Sequence, residues 1–133
     1  MSNEKPFELE SFFSALADNT RRRILNLIGE DEICVCYLVE VIGTNQPKIS
    51  RHLAILKNAG LVSVRRDWKW SHYRIVKPNN AQAARAFDEI LELLKKDPEM
   101  QKDRKQMANI CCAPVSKQPI SIQGVPKPER VSV

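Results

Sequence analysis

Apolar residues recur along most of the chain at the spacing of helix faces, interrupted by two short runs that alternate. Between Phe7 and Leu16, the residues Leu9, Phe12, Phe13 and Leu16 fall on one side of a helix. Asp18 then offers an N-cap, and Ile24, Leu25, Leu27 and Ile28 carry a second helix to Gly29. The stretch Ile33 to Ile42 is β-branched enough to suit a strand. Val35, Leu38, Val39 and Ile42 nevertheless keep the helical period and Gly43 supplies a stop, so a short helix is expected. Thr44 or Asn45 caps the next helix, Pro47 fits its first turn, and Ile49, Leu53, Leu56 and Ala59 line one face as far as Gly60.

Leu61 to Arg66 and Trp70 to Val76 alternate on either side of Asp67, Trp68 and Lys69, which predicts a β-hairpin. Beyond Asn79 or Asn80, the stripe Ala83, Phe87, Ile90, Leu91 and Leu94 marks a helix that needs a partner surface. Asp97 and Pro98 open a further helix to about Ala108, too polar to predict docking. After Cys112, four prolines among polar residues predict a mobile tail. The pattern divides the chain into residues 1–97, a DNA-binding and dimerisation unit, an extension at 98–112, and a tail at 113–133.

The fold class expected is mainly α with a small β-hairpin. Two helices joined by a short glycine-containing turn, the second exposing polar groups, are followed directly by a basic hairpin. That order is a winged helix-turn-helix, whose second helix enters the major groove. At 133 residues the core is small, and a homodimer formed through the N-terminal and C-terminal helices would bury the remaining apolar faces.

Charge sharpens this picture. The net charge is +5, yet between Thr44 and Lys77 eight basic residues face one acid, Asp67, so the rest of the chain is slightly acidic. A basic block inside a folded, periodic segment suits double-stranded DNA. Met1 to Glu10 has no secretory pattern and no run is long enough to span a bilayer, so a cytoplasmic protein without membrane contact is expected. In a reducing compartment Cys34, Cys36, Cys111 and Cys112 are expected as thiols for metal or redox chemistry. With four glycines and two histidines, neither a phosphate loop nor a hydrolytic triad is evident, so no enzyme activity and no catalytic cofactor are expected.

Three stretches resemble the ArsR/SmtB family of metal-responsive repressors, in particular its arsenic-responsive members: LADNTRRRIL from Leu16, ICVCYL from Ile33, and NQPKISRHLAILKNAGLV from Asn45, with KWSHYR from Lys69. The likeness runs from about Phe12 to Leu94. It implies a winged helix-turn-helix homodimer bound to operator DNA, with Gln46 and Ser50 at base edges. Arg51 suits guanine; Lys48 and His52 suit phosphates; Arg65, Arg66 and Lys69 suit the backbone or minor groove beside the wing. It also places the inducer on Cys34 and Cys36, where many relatives add a third cysteine and this chain has Val39. Cys111 and Cys112, from the same or the partner subunit, are the other thiol source. The hairpin tip departs as well, with Trp68 where related wings often have glycine. The helix from Asn80 to Lys96 holds no His or Cys, so the zinc site of other members is not expected.

Thiolates are the side chains best suited to soft ions, so the inducer expected is trivalent arsenic, as arsenite or a methylated arsenical, with antimonite in the same class. A thiol redox switch and a cadmium or lead sensor are the alternatives. A helix N-terminus should lower the pKa of Cys34 and Cys36. Two residues apart on one helix, they would point roughly 200° apart, so gripping one ion would unwind it.

Overall fold

The structure, a computed structural model, describes residues 5–131. Helices α1 (Leu9–Leu16) and α2 (Asn19–Ile28) lead into strand β1 (Asp31–Cys34), then α3 (Val35–Ile42) and α4 (Gln46–Asn58). Strands β2 (Val62–Asp67) and β3 (Trp70–Ile75) form the hairpin, and α5 (Ala81–Lys96) and α6 (Pro98–Cys112) follow. The chain closes with 3-10 turns at Val115–Lys117 and Ile120–Ile122 and strand β4 (Glu129–Arg130). This is a mainly helical winged helix-turn-helix with a small antiparallel sheet.

Capping explains where the helices start. Asp18 accepts from the Arg21 N–H at 3.0 Å, Asn45 from Lys48 at 3.0 Å and Asn80 from Ala83 at 2.9 Å. Each fills a donor the first turn leaves open. Gly43 ends α3 at φ 78°, turning the chain from α3 into α4. The core lies between them, with Ile24, Leu25, Leu38, Ile49, Leu53 and Phe87 fully buried.

The stretch expected as one helix from Ile33 is divided. Asp31–Cys34 is a strand and the helix begins at Val35. Pairing decides it: Ile33 lies opposite Tyr73 and Cys34 opposite His72, so β1 covers the free edge of β3. Periodicity within the segment carries no sign of that distant partner.

The extension at 98–112 docks firmly despite its polar sequence. Asp97 caps α6 through the Glu99 and Met100 N–H groups, while Met100 and Met107 are buried. Asp103, 6% exposed, takes two hydrogen bonds from Arg23 at 2.7 and 3.0 Å. Asn26 donates to the Met100 carbonyl at 2.9 Å, and Arg104 donates to the last carbonyls of α2. These polar contacts hold the helix where an apolar stripe was looked for.

Residues 113–131, expected as a mobile tail, instead run back over α3. Ile122 is fully buried, Ser121 donates to Glu40 at 2.7 Å, and Gln118 donates to the Ile110 carbonyl. β4 then adds to β1, with Asp31 opposite Arg130, giving the sheet order β2-β3-β1-β4. One buried isoleucine is worth roughly 1.5–3 kcal/mol, enough with these bonds to seat a proline-rich strap.

Candidate nucleic-acid interface and thiol site

The exposed side of α4 carries Gln46, Lys48, Ser50 and Arg51, while Ile49, Leu53 and Leu56 are buried beneath them. The helix therefore offers a continuous polar face held from behind by the core. His52, expected as a phosphate contact, is half-buried at the corner of α1 and α2. Its Nδ1 lies 3.2 Å from Arg21 Nη1 and 3.8 Å from Asp18 Oδ2. Arg21 has no acceptor, so Nδ1 takes the hydrogen bond and the ring proton sits on Nε2. Arg21 also donates to the carbonyls of Ala15 and Ser14 at 2.8 and 3.0 Å. Asp18, Arg21 and His52 thus fasten α4 to the preceding helices, a role that sequence reading did not assign to Arg21. The run of three arginines after Asp18 was the available signal.

On the wing the cations differ in how far they are already committed. Arg65 donates to Glu32 at 2.7 and 3.0 Å and lies 3.8 Å from Asp67. That guanidinium holds the Glu32 carboxyl below its ordinary value. Arg66 donates to Ser71 Oγ at 3.1 Å, and the Lys69 ammonium sits over the Trp68 and Trp70 rings.

Cys34 ends β1 and is the N-cap of α3, with extended backbone at φ −71° and ψ 142°. Cys36 lies in the first turn, so the pair straddles a strand–helix joint and is not spread around a helix. The Cys36 and Ser71 backbone groups favour the Cys34 anion, while the neighbouring Cys36 thiol opposes it. Burial outweighs that help and pushes the Cys34 thiol up to about 11, opposite to the lowering expected from the helix end. His72, directly across from Cys34, is buried and its Nε2 has no hydrogen-bond partner among the described residues.

Cys111 and Cys112 end α6, half-buried and exposed, with their Sγ atoms 3.8 Å apart. Burial first, and the Cys112 thiol next, push the Cys111 pKa up. Burial and then the thiols of both pairs, Cys111, Cys34 and Cys36, push the Tyr37 hydroxyl up. They do not converge on one point: among the described residues no three His, Cys, Asp or Glu side chains lie close enough together to hold a metal ion. No helix among those residues is long and apolar enough to cross a membrane.

Known proteins share this architecture. The arsenical resistance operon repressor of Escherichia coli is 47% identical over 78 residues, covering 58% of this chain and 67% of that protein. An arsenic resistance transcriptional regulator of Pseudomonas putida is 50% identical over 64 residues, 47% of this chain. The match spans half the length of that regulator. Among solved structures, the homodimeric winged helix-turn-helix DNA-binding domain of a possible ArsR-family regulator from Mycobacterium bovis superposes with a TM-score of 0.54 at 30% identity. The superposition covers 66% of this chain and 79% of that one. Residues 18–64, from the Asp18 cap through α4 into the hairpin, match the family described as bacterial regulatory protein, arsR family. The chain belongs to that family of bacterial regulators.

Proposed function

We propose that this protein is a transcriptional repressor that binds operator DNA as a homodimer and is released by trivalent arsenic. The observation that carries the DNA-binding reading is the division of α4. Gln46, Lys48, Ser50 and Arg51 face outward from a helix whose opposite side is locked into the core. Gln46 and Ser50 suit base edges, Arg51 suits guanine, and Lys48 and His52 suit phosphates. Arg65, Arg66 and Lys69 line the flanking wing.

Leu9 and Phe13 on α1 and Leu93 on α5 stand 60% or more exposed, and a second copy of the chain is the partner that would cover them. Residues 1–97 form the DNA-binding and dimerisation unit, residues 98–112 carry the outer thiols, and residues 113–131 brace α3. A DNA-bound regulator of this kind works in the cytoplasm.

For the inducer, Cys34 and Cys36 form a two-thiol site at the foot of α3, the helix packed against α4. Cys111 or Cys112, of the same or the partner subunit, supplies the third sulfur. The soft donor set and the likeness to arsenic-resistance regulators support arsenite or methylarsenite. Closing three sulfurs on one ion would draw the β1–α3 joint toward the end of α6 and shift α4 with it. Release follows to the extent that the bound ion prefers that shifted form.

The test is fluorescence anisotropy of reduced protein on duplex DNA from upstream of its own gene. Arsenite, methylarsenite, cadmium and peroxide are titrated in parallel. Release by a trivalent arsenical alone is the expected result. Release by peroxide alone would make the cysteines a redox switch, release by cadmium alone a divalent-metal sensor, and absence of binding would end the repressor reading.

A further inference from the structure

The turn joining β2 to β3 holds a backbone conformation that its residue type disfavours. Among the described residues Trp68 is the one non-glycine with positive φ, at 58°. There the Cβ crowds the backbone, and a bulky residue is an outlier. Burial does not repay it, because Trp68 is 82% exposed. Its ring meets Trp70 edge-on at 5.4 Å, and Lys69 Nζ lies 4.8 Å from its centroid and 5.2 Å from that of Trp70. The wing therefore ends in two indoles gathered around one cation, with Arg65 and Arg66 exposed just behind. Strain kept at a site this exposed, with only its two neighbours on the tip to pack on, points to function.

We propose that Trp68 is a DNA contact in its own right, its indole face lying against the sugar wall of the minor groove beside the half-site met by α4. Lys69 supplies the charge at the adjoining phosphate. The inference rests on the DNA-binding reading above. The basic tip calls for a polyanion and disfavours a second copy of the same wing. A two-torsion aromatic side chain loses little freedom on contact, and the deoxyribose wall is the same at every sequence. Trp68 therefore adds affinity without reading bases.

Glycine at this position would relax the turn and delete the contact, so stability and affinity should move in opposite directions. The full chain is compared with its Trp68→Gly, Trp68→Phe, Lys69→Ala and Arg51→Ala variants by thermal unfolding and by anisotropy on duplex DNA from upstream of its own gene. Trp68→Gly is expected to melt higher yet bind about tenfold more weakly, with its salt dependence unchanged. Trp68→Phe should keep most of the affinity. Lys69→Ala should lower the salt slope by about one. In Trp70→Phe, Trp68 is the one tryptophan left, and its emission should shift as duplex is added. Wild-type affinity in Trp68→Gly, or emission indifferent to DNA, would overturn the contact. If Arg51→Ala still weakened binding, the DNA-binding reading would stand without it. If the wild-type chain itself did not bind the duplex, both would fall.

Discussion

The two cysteine pairs differ in depth and in what they are fastened to. Cys34 is 1% exposed, seated between the wing sheet and α3, while Cys112 stands exposed at the end of α6. Moving the inner pair means moving a strand and, with it, α3, the helix that α4 packs against. Moving the outer pair disturbs only the last turn of α6 and the root of the strap. On the proposed mechanism the inner pair switches and the outer pair captures, and that assignment can be broken by treating the pairs separately.

The largest effect should come from Cys34→Ser. On the proposed mechanism it leaves DNA binding intact and abolishes release at any arsenite concentration that frees the wild type. The double variant Cys111→Ser, Cys112→Ser should still release, at higher inducer, with fewer sulfur neighbours in arsenic-edge X-ray absorption. Normal release of Cys34→Ser by arsenite would show that the inner pair is not the switch. An unchanged sulfur count in the double variant would remove α6 from the site.

Next comes the footing of the outer pair. Asp103 is buried and neutralises Arg23, and Asp103→Ala leaves that guanidinium, 26% exposed, without its carboxylate. Breaking a buried pair costs about 3 kcal/mol, reduced here by the partial exposure of Arg23. Chemical denaturation should register about 2 kcal/mol. Alkylation of Cys111 should accelerate toward the rate of Cys112 while Cys34 stays protected. Equal acceleration of Cys34 would mean that the pairs are not independently mounted.

The same contrast sets how much was legible in the sequence. α4 could be read in full, because its cap at Asn45, its proline and its apolar face are all local signals. The inner pair was placed correctly at the foot of α3, but the chemistry of Cys34 was not. The helix end and its N–H groups do favour the thiolate, yet desolvation by β3 and the core is larger, and desolvation is a property of the packed fold. β1 was hidden for a related reason, since its partner lies some forty residues on. The docking of α6 depends on Arg23 meeting Asp103 across 80 residues, and the strap on Ile122 reaching α3. Neither pairing leaves a periodic trace.

The smallest predicted effect separates the classes of inducer by pH. With the Cys34 pKa near 11, its thiol is protonated at neutrality. A divalent cation binding there as a thiolate complex must displace that proton. Its apparent affinity should therefore rise about tenfold per pH unit through this thiol alone, or about 1.4 kcal/mol. Arsenous acid behaves differently. Each As–S bond that forms breaks an As–O bond, the thiol proton leaves with the hydroxide as water, and arsenic stays trivalent. No proton is released, so the apparent affinity for arsenite should be flat across the neutral range while that for cadmium steepens upward. The fold itself obeys the same sign. A thiol whose folded pKa is raised favours the protonated, folded state below its ordinary value of 9.0, and this contribution is lost as pH climbs toward about 11. Titrating the binding of arsenite and of cadmium to the reduced protein at about pH 6, 7 and 8, well below that loss, isolates the proton count at the site. Parallel slopes for arsenite and cadmium would show that the buried thiol is not where the inducer binds.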